Sequence, residues 1–283
     1  MIYEVEHTLC LPDHEKTCFA CCPPIRPAGY EHIQYINIIK RILRENSEGF
    51  DKRSNRIIPI TGFSCWALGY IDESHKLTGC LLHPGQNKGV DLRYRVDYGE
   101  KCRREFCHEA KVFSELGINE RKFWLHLADG LDSFSYSSRK LNPLFNMVGW
   151  GGYLLRLIAS TEGNRIFTQE SFFQLYTFFS TIILPRANVY LINWLIKKEG
   201  VDLLKRERFR KEFEKFTGEL SDEITDECSC RPKDPYIHRL DLDGDFKVFL
   251  RLSTPMHKMN EEKALILKET VDRELEKFRM NLH

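Results

Sequence analysis

The chain has 283 residues, of which 42% are hydrophobic and 29% charged, with a formal net charge of +1. That length allows one large domain or two ordinary ones, each with a real hydrophobic core. The near-zero charge excludes the global basic excess of a protein that binds nucleic acid or a membrane surface.

The N-terminus, Met1-Ile-Tyr-Glu-Val-Glu-His7, lacks the basic-then-apolar pattern of a secretory signal. The most apolar stretch, Phe172 to Ile196, is broken by Gln174, Pro185, Arg186 and Asn188, well short of the roughly 18 uninterrupted apolar residues of a membrane span. The expectation is a soluble cytoplasmic protein whose partners include neither nucleic acid nor membrane. In that reducing compartment structural disulfides are rare, so the ten cysteines need another explanation.

Residues 1–110 are rich in Cys, Gly and Pro, with turn signals at Pro23-Pro24, Arg26-Pro27-Ala28-Gly29, His83-Pro84-Gly85 and Tyr98-Gly99. One helix is predicted there, from the spacing of Ile33, Ile36, Ile39 and Leu43. A loop-rich region of this kind needs a staple, and bound metal is the intracellular one. Beyond residue 110 the pattern turns helical. Phe123, Leu127 and Leu131 predict a helix capped by Asn119, and Leu154, Leu155 and Ile158 predict another. Gly149, Gly151 and Gly152 do not form a nucleotide-binding fingerprint, since no strand precedes them. Thr168 reads as the cap of a long aromatic-rich helix, interrupted near Pro185 and ended at Gly200. Its Phe172, Phe173, Tyr176, Phe178 and Phe179 are explained more cheaply by packing than by a ligand pocket.

Residues 201–217 keep helical spacing. The basic run Lys205 to Lys211 is balanced by Glu207, Glu212 and Glu214, which predicts a solvated face with internal ion pairs rather than a nucleic-acid contact. Asp241-Leu-Asp243-Gly244-Asp245 lacks the twelfth-position Glu of a calcium loop, where Leu252 stands. With alternating flanks, Asp243-Gly244 predicts the turn of a β-hairpin. A last helix follows Asn260, with Leu265, Leu267, Val271, Leu275 and Phe278 as buried positions. The expected fold is mostly α: an irregular cysteine-rich module over 1–110, a mainly helical domain over 111–283, and a small β-hairpin near the C-terminal part.

The cysteines are strongly biased in position. Cys10, Cys18, Cys21, Cys22, Cys65, Cys80, Cys102 and Cys107 lie in the first 107 residues, and none follows until Cys228. Thiols used only as small core residues would scatter. Cys18-Phe-Ala-Cys21 lets two thiolates reach one centre from a tight turn. In an extended segment the adjacent side chains of Cys21 and Cys22 diverge. They then serve two atoms of a cluster or two separate metals, or one binds while the other packs. Arg103 and Arg104, directly after Cys102, are candidates to donate to thiolates and offset a site's negative charge. His83 and His108 stand close to cysteines as weaker ligand candidates, with His7 and His14 weaker still. Cys228-Ser-Cys230 has a one-residue spacer, tight for a single ion, and reads as a loop pair of uncoordinated cysteines.

The order of these motifs resembles the zinc- or iron-chelating CxxCxxCC family. Cys18, Cys21 and Cys22 match the second half of that opening; Cys65-Trp-Ala-Leu, Cys80-Leu-Leu-His-Pro and Cys102-Arg-Arg-Glu-Phe resemble the later elements. The resemblance covers roughly the first 110 residues. The family's first cysteine falls at Glu15, which leaves Cys10 upstream as the candidate replacement, and Tyr98-Gly-Glu-Lys precedes Cys102 in place of the family's Arg-Pro. The resemblance implies metal chelation and leaves the metal open.

The function expected is therefore binding of an iron–sulfur cluster, or of zinc, in electron transfer or redox sensing with a redox partner protein the sequence does not name. The alternative is a metal-dependent or thiol-based enzyme with its pocket where the two regions meet. No Ser-His-Asp pattern or phosphate loop names a reaction, and a thioredoxin-like setting is missing because Pro23-Pro24 follows the Cys-x-x-Cys pair directly.

Overall fold

A computed structural model describes residues 7–23, 27, 29–54, 56–61, 64–104, 107–226, 233–254 and 257–282. In chain order the main elements are α1 (Ile36–Glu48), β1 (Leu68–Tyr70), β2 (Thr78–Cys80), α2 (Gly99–Arg104), α3 (His108–Ser114), α4 (Ile118–Leu125), α5 (Ser133–Tyr136), α6 (Pro143–Gly149), α7 (Gly152–Glu162), α8 (Gln169–Leu175), α9 (Pro185–Glu199), α10 (Glu207–Asp226), α11 (Gly244–Ser253) and α12 (Glu261–Met280). The chain is mostly helical, with one two-stranded antiparallel sheet among the described residues. It divides into two compact units, Met1–Asn146 and Met147–His283.

In the first unit the helix predicted from Ile36, Ile39 and Leu43 is α1. The stripe turns inward, with Ile39 and Leu43 buried, while Ile38 on the opposite face is 53% exposed. Its inner face packs with Ala67, Leu68, Tyr70, Leu82, Val96, Phe19 and Phe134 in one core. Helix and sheet are also tied by polar bonds. Asn46 Nδ2 donates to the carbonyls of Cys65 (3.1 Å) and Leu68 (2.8 Å), and the Tyr70 amide donates to Ser47 Oγ at 2.7 Å. Strands β1 and β2 pair Leu68 with Cys80, Gly69 with Gly79 and Tyr70 with Thr78. Asp72 closes the connection, accepting from the amides of Leu77 (2.7 Å) and Lys76 (3.2 Å).

The unit runs past residue 110. Ser133 Oγ accepts from the Thr17 amide (3.1 Å), Ser137 Oγ accepts from the Phe19 amide (2.9 Å), and the Tyr136 hydroxyl donates to the Leu9 carbonyl (3.0 Å). Segment 9–19, with two of the cysteines, is thus held by residues of and beside α5. Helix α4 starts after Gly117 rather than Asn119. The Glu120 carboxylate accepts from the Gly117 amide at 2.7 Å and fills the role expected of a cap.

In the second unit the aromatic stretch is two helices. Thr168 caps α8, its Oγ1 accepting from the Ser171 amide at 3.2 Å, and α9 begins at Pro185. Phe172, Tyr176, Phe178 and Phe179 are buried and Phe173 half-buried, so they pack the core as expected. Tyr190 of α9 meets the Phe246 ring of α11 at 4.9 Å, and Phe216 of α10 stacks on Phe278 of α12 at 4.4 Å. The basic run lies in and just before α10. Arg208 pairs with Glu212 at 2.7 Å, and Arg210 and Lys211 pair with Glu207 at 2.5 and 3.5 Å.

Two expectations fail in this unit. Residues 244–253 are helical, not the second strand of a hairpin; the small sheet lies at 68–80 instead. Asp243 caps α11, its Oδ1 accepting from the Phe246 amide at 3.0 Å. Phe246, Phe249 and Leu250 are the buried positions, an i, i+3, i+4 stripe that over so few residues passes for alternation. In α12, Leu267, Val271 and Leu275 are buried and Phe278 is half-buried, but Leu265 is 48% exposed. It stands two positions before Leu267, on the opposite side of a helix.

Candidate metal centre

Cys10, Cys18, Cys21, Cys22, Cys65, Cys80, Cys102 and Cys107 all lie in the first unit, and none of the eight is in a disulfide. Cys228 and Cys230 lie outside the described residues.

The segments that carry them are positioned by backbone bonds. The Cys18 amide donates to the Cys10 carbonyl at 2.9 Å, so the first two cysteine segments run side by side. The Cys22 amide donates to the Phe19 carbonyl at 3.0 Å and closes a turn over Phe19–Cys22. This turn changes the expectation for the adjacent pair. The backbone is bent rather than extended, and the Cys22 thiol hydrogen-bonds to the Cys21 thiol. Cys65 precedes β1, and Cys80 is the last residue of β2, opposite Leu68. Cys102 lies within α2. Gly99 opens that helix so close to its neighbours that a Cβ there would stand 2.4 Å from the Arg93 carbonyl oxygen. Cys107 caps α3, its Sγ accepting from the Ala110 amide at 3.3 Å.

Cys107 is one of two sulfurs, with Cys65, that accept a main-chain N–H from two or three residues ahead. The Ala67 amide points at Cys65 Sγ from 3.4 Å, and the backbones of Ala20 and Leu82 pull the Cys18 and Cys80 thiols down against burial. A neutral thiol is a weak acceptor, whereas a thiolate is a strong one. Amides aimed at sulfur are a means of holding thiolate charge around a metal.

The thiols influence one another. Cys18 feels Cys10, Cys21 and Cys107, and Cys80 feels Cys65 and Cys102. Burial first, then these neighbours, push the thiols up: Cys80 to about 12, and Cys65 and Cys107 to about 11. As protonated thiols they supply little nucleophile at neutral pH. A metal that takes the charge relieves both penalties.

Two arginines that no sequence signal marks act electrostatically on these thiols. Arg93 feels Cys80 and Cys102 and donates from Nη1 to the Cys102 carbonyl at 3.0 Å, while Asp91 holds it at 2.8 Å. Arg139 feels Cys107 and Cys18 and forks onto the Glu109 carboxylate. Arg103 and Arg104 turn elsewhere. Arg103 pairs with the Glu100 carboxylate at 3.2 Å, and Arg104 Nε donates to the Glu100 carbonyl at 3.4 Å. His83 accepts from the Gly85 amide at 3.2 Å through Nδ1, and His108 opens α3.

Among the described residues, no three Cys, His, Asp or Glu side chains converge closely enough to hold one metal ion. The donor set suits a soft, thiolate-bound metal in its ligand chemistry and its amide and arginine surroundings. Compared with protein-family profiles, curated proteins and solved structures, the chain matches none. No described helix is long and apolar enough to cross a membrane.

Proposed function

We propose that this protein is a metal-binding protein whose N-terminal cysteines hold an iron–sulfur cluster, or failing that zinc, and that it serves in electron transfer or redox sensing in the cytoplasm. The observation that carries this reading is the pair of main-chain amides that donate to Cys65 Sγ and Cys107 Sγ, with Arg93 and Arg139 acting electrostatically on the thiols. The resemblance of the motif order to the CxxCxxCC family supports it. Iron–sulfur chemistry would supply a one-electron couple; zinc would supply folding energy or a Lewis acid and no redox change. The residues that would hold the metal are Cys10, Cys18, Cys21, Cys22, Cys65, Cys80, Cys102 and Cys107. A metal-free thiol enzyme is less well supported, because burial raises the thiols far above neutral pH.

The test is metal and sulfide analysis, with a visible spectrum, on untagged protein purified without oxygen. Stoichiometric iron and sulfide with broad visible absorption are expected. Stoichiometric zinc in a colourless protein would keep metal binding and remove the redox role. A folded protein with neither metal would overturn the reading.

A further inference from the structure

The chain that follows α1 is strapped onto the first unit at several points. Arg95 donates to the carbonyls of Asp51 (3.4 Å) and Lys52 (2.7 Å), and the Ile58 amide donates to the Arg95 carbonyl at 2.8 Å. The Ile60 amide donates to the Asp97 carboxylate at 3.1 Å, and Trp66 Nε1 donates to the Ile58 carbonyl at 3.0 Å. Ile58 thereby pairs with Val96 in a parallel bridge, which brings Arg56 and Ile57 alongside Tyr94 and Arg95. Asp51 Oδ1 accepts from the Arg53 amide at 2.8 Å and fixes the turn that carries Lys52 and Arg53.

These two segments present apolar and basic groups to solvent together. Ile57 is 66% exposed, Tyr94 48% and Tyr98 38%. Lys52, Arg53 and Arg56 are exposed as well. Other cations of the unit are paired: Arg41 with Glu45 and Arg93 with Asp91. Among the described residues, Lys52, Arg53 and Arg56 make no ion pair. Arg95, bonded to the turn from behind, is 3% exposed, binds carbonyls rather than a carboxylate, and leaves its Nε without a partner. A buried guanidinium with no counter-ion is costly, and a carboxylate brought close to the turn would lower that cost.

From this juxtaposition we infer that Lys52, Arg53, Arg56 and Ile57, with Tyr94 and Tyr98 beside them, form a docking face for an acidic protein whose carboxylates ring an apolar centre. Ile57 and the two tyrosines supply the matching apolar centre, and tyrosine and arginine are enriched where proteins meet. The three cations form the rim, which steers the partner and fixes its register. The backbone bonds that hold both segments lower the cost of ordering them on association. An exposed aliphatic side chain at the centre favours a protein over a nucleic acid, which asks for stacking and phosphate contacts alone. None of the six residues is a cysteine, so the inference does not depend on what the thiols bind.

The experiment is a fluorescence anisotropy titration of the full chain with three labelled probes. They are a short peptide with glutamates around a central tryptophan and leucine, the same peptide with lysine for each glutamate, and a single-stranded oligonucleotide. The acidic peptide is expected to bind, and to bind less well as salt rises. Arg53→Glu combined with Arg56→Glu should weaken that binding at least about tenfold, and Ile57→Ser by about the same factor. All three side chains are exposed, so the fold should persist, which circular dichroism checks. Lys122→Glu, at an exposed position of α4, should leave binding unchanged. Failure of the acidic peptide to bind would overturn the inference, as would equal binding of the basic peptide. Equal weakening by Lys122→Glu would also overturn it, since that means attraction to charge without a site. Tighter binding of the oligonucleotide than of the acidic peptide would replace the protein partner with nucleic acid.

Discussion

Gly69 sits where α1 meets the sheet. A Cβ built there would lie 2.6 Å from Ser47 Oγ and 2.8 Å from Leu81 Cδ1. Real Cβ atoms do not approach so closely, so Gly69→Ala must push Ser47 or Leu81 aside. Leu81 can shift its terminal methyl, but Ser47 is engaged as the acceptor for the Tyr70 amide at 2.7 Å. Overpacking of this kind costs about 1–3 kcal/mol, and a moved Ser47 leaves that amide short of a partner, a cost of about 1 kcal/mol. For a unit this size each kcal/mol lowers the melting temperature by about 3 °C, so Gly69→Ala should melt roughly 6–12 °C below wild type. The same shift separates β1 from α1, and Cys80 is held to Leu68 by that sheet. Thiol labelling of the metal-free protein should therefore quicken. The assay is thermal melting of the full chain followed by circular dichroism, with thiol labelling in parallel. A melting temperature unchanged within about 1 °C would refute the argument that close helix–strand approach requires glycine here.

Two further predictions concern the second unit. Asp243→Ala removes the cap on the Phe246 amide and should cost about 1 kcal/mol, whereas Asp243→Asn should keep most of that stability; equal melting of both variants would deny the cap. Glu162 is 7% exposed. Burial alone would raise its carboxyl, but the Tyr176 hydroxyl at 2.5 Å, Lys205 at 3.0 Å and Arg165 hold it below its ordinary range. The folded state therefore binds this proton less readily than the unfolded chain does. The resulting stability is present above the ordinary carboxylate pKa and is lost as pH falls through the lowered folded value. Glu162→Gln should lower stability by about 1 kcal/mol near pH 7, and the gap from wild type should close as pH falls through the lowered carboxyl value. A gap that does not change with pH would point to shape rather than charge.

The helices were legible wherever an apolar stripe was long enough to show its period. α1 and α12 are both of this kind, and in α12 only Leu265 was misplaced, by counting both leucines of Leu265-Ile266-Leu267 on one face. The 238–252 segment defeats the same method because a ten-residue helix offers too few turns to separate a 3.6 period from a 2.0 period, and Asp-Gly opens a helix as readily as it turns a hairpin. Caps depend on one side chain, so Glu120 could replace Asn119 unannounced.

The cysteines show a different limit. Their crowding into the first 107 residues was plain, and Cys18-Phe-Ala20 and Cys65-Trp-Ala67 share a local form in which the alanine backbone serves the sulfur two residues before it. Which thiol neighbours which was not plain. Mutual influence is a property of the tertiary fold: Cys107 acts on Cys18, and Cys102 acts on Cys65 and Cys80, although Cys102 and Cys107 are five positions apart. The arginines follow the same rule. Arg103 and Arg104 touch Cys102 in sequence, yet α2 points them at Glu100. Arg139 stands 32 residues after Cys107, but its fork on Glu109 brings it to that thiol. Adjacency in sequence fixes where a backbone amide can reach. Charge compensation depends on what the fold carries in from elsewhere, so the amide contacts could be read from motifs and the arginines could not.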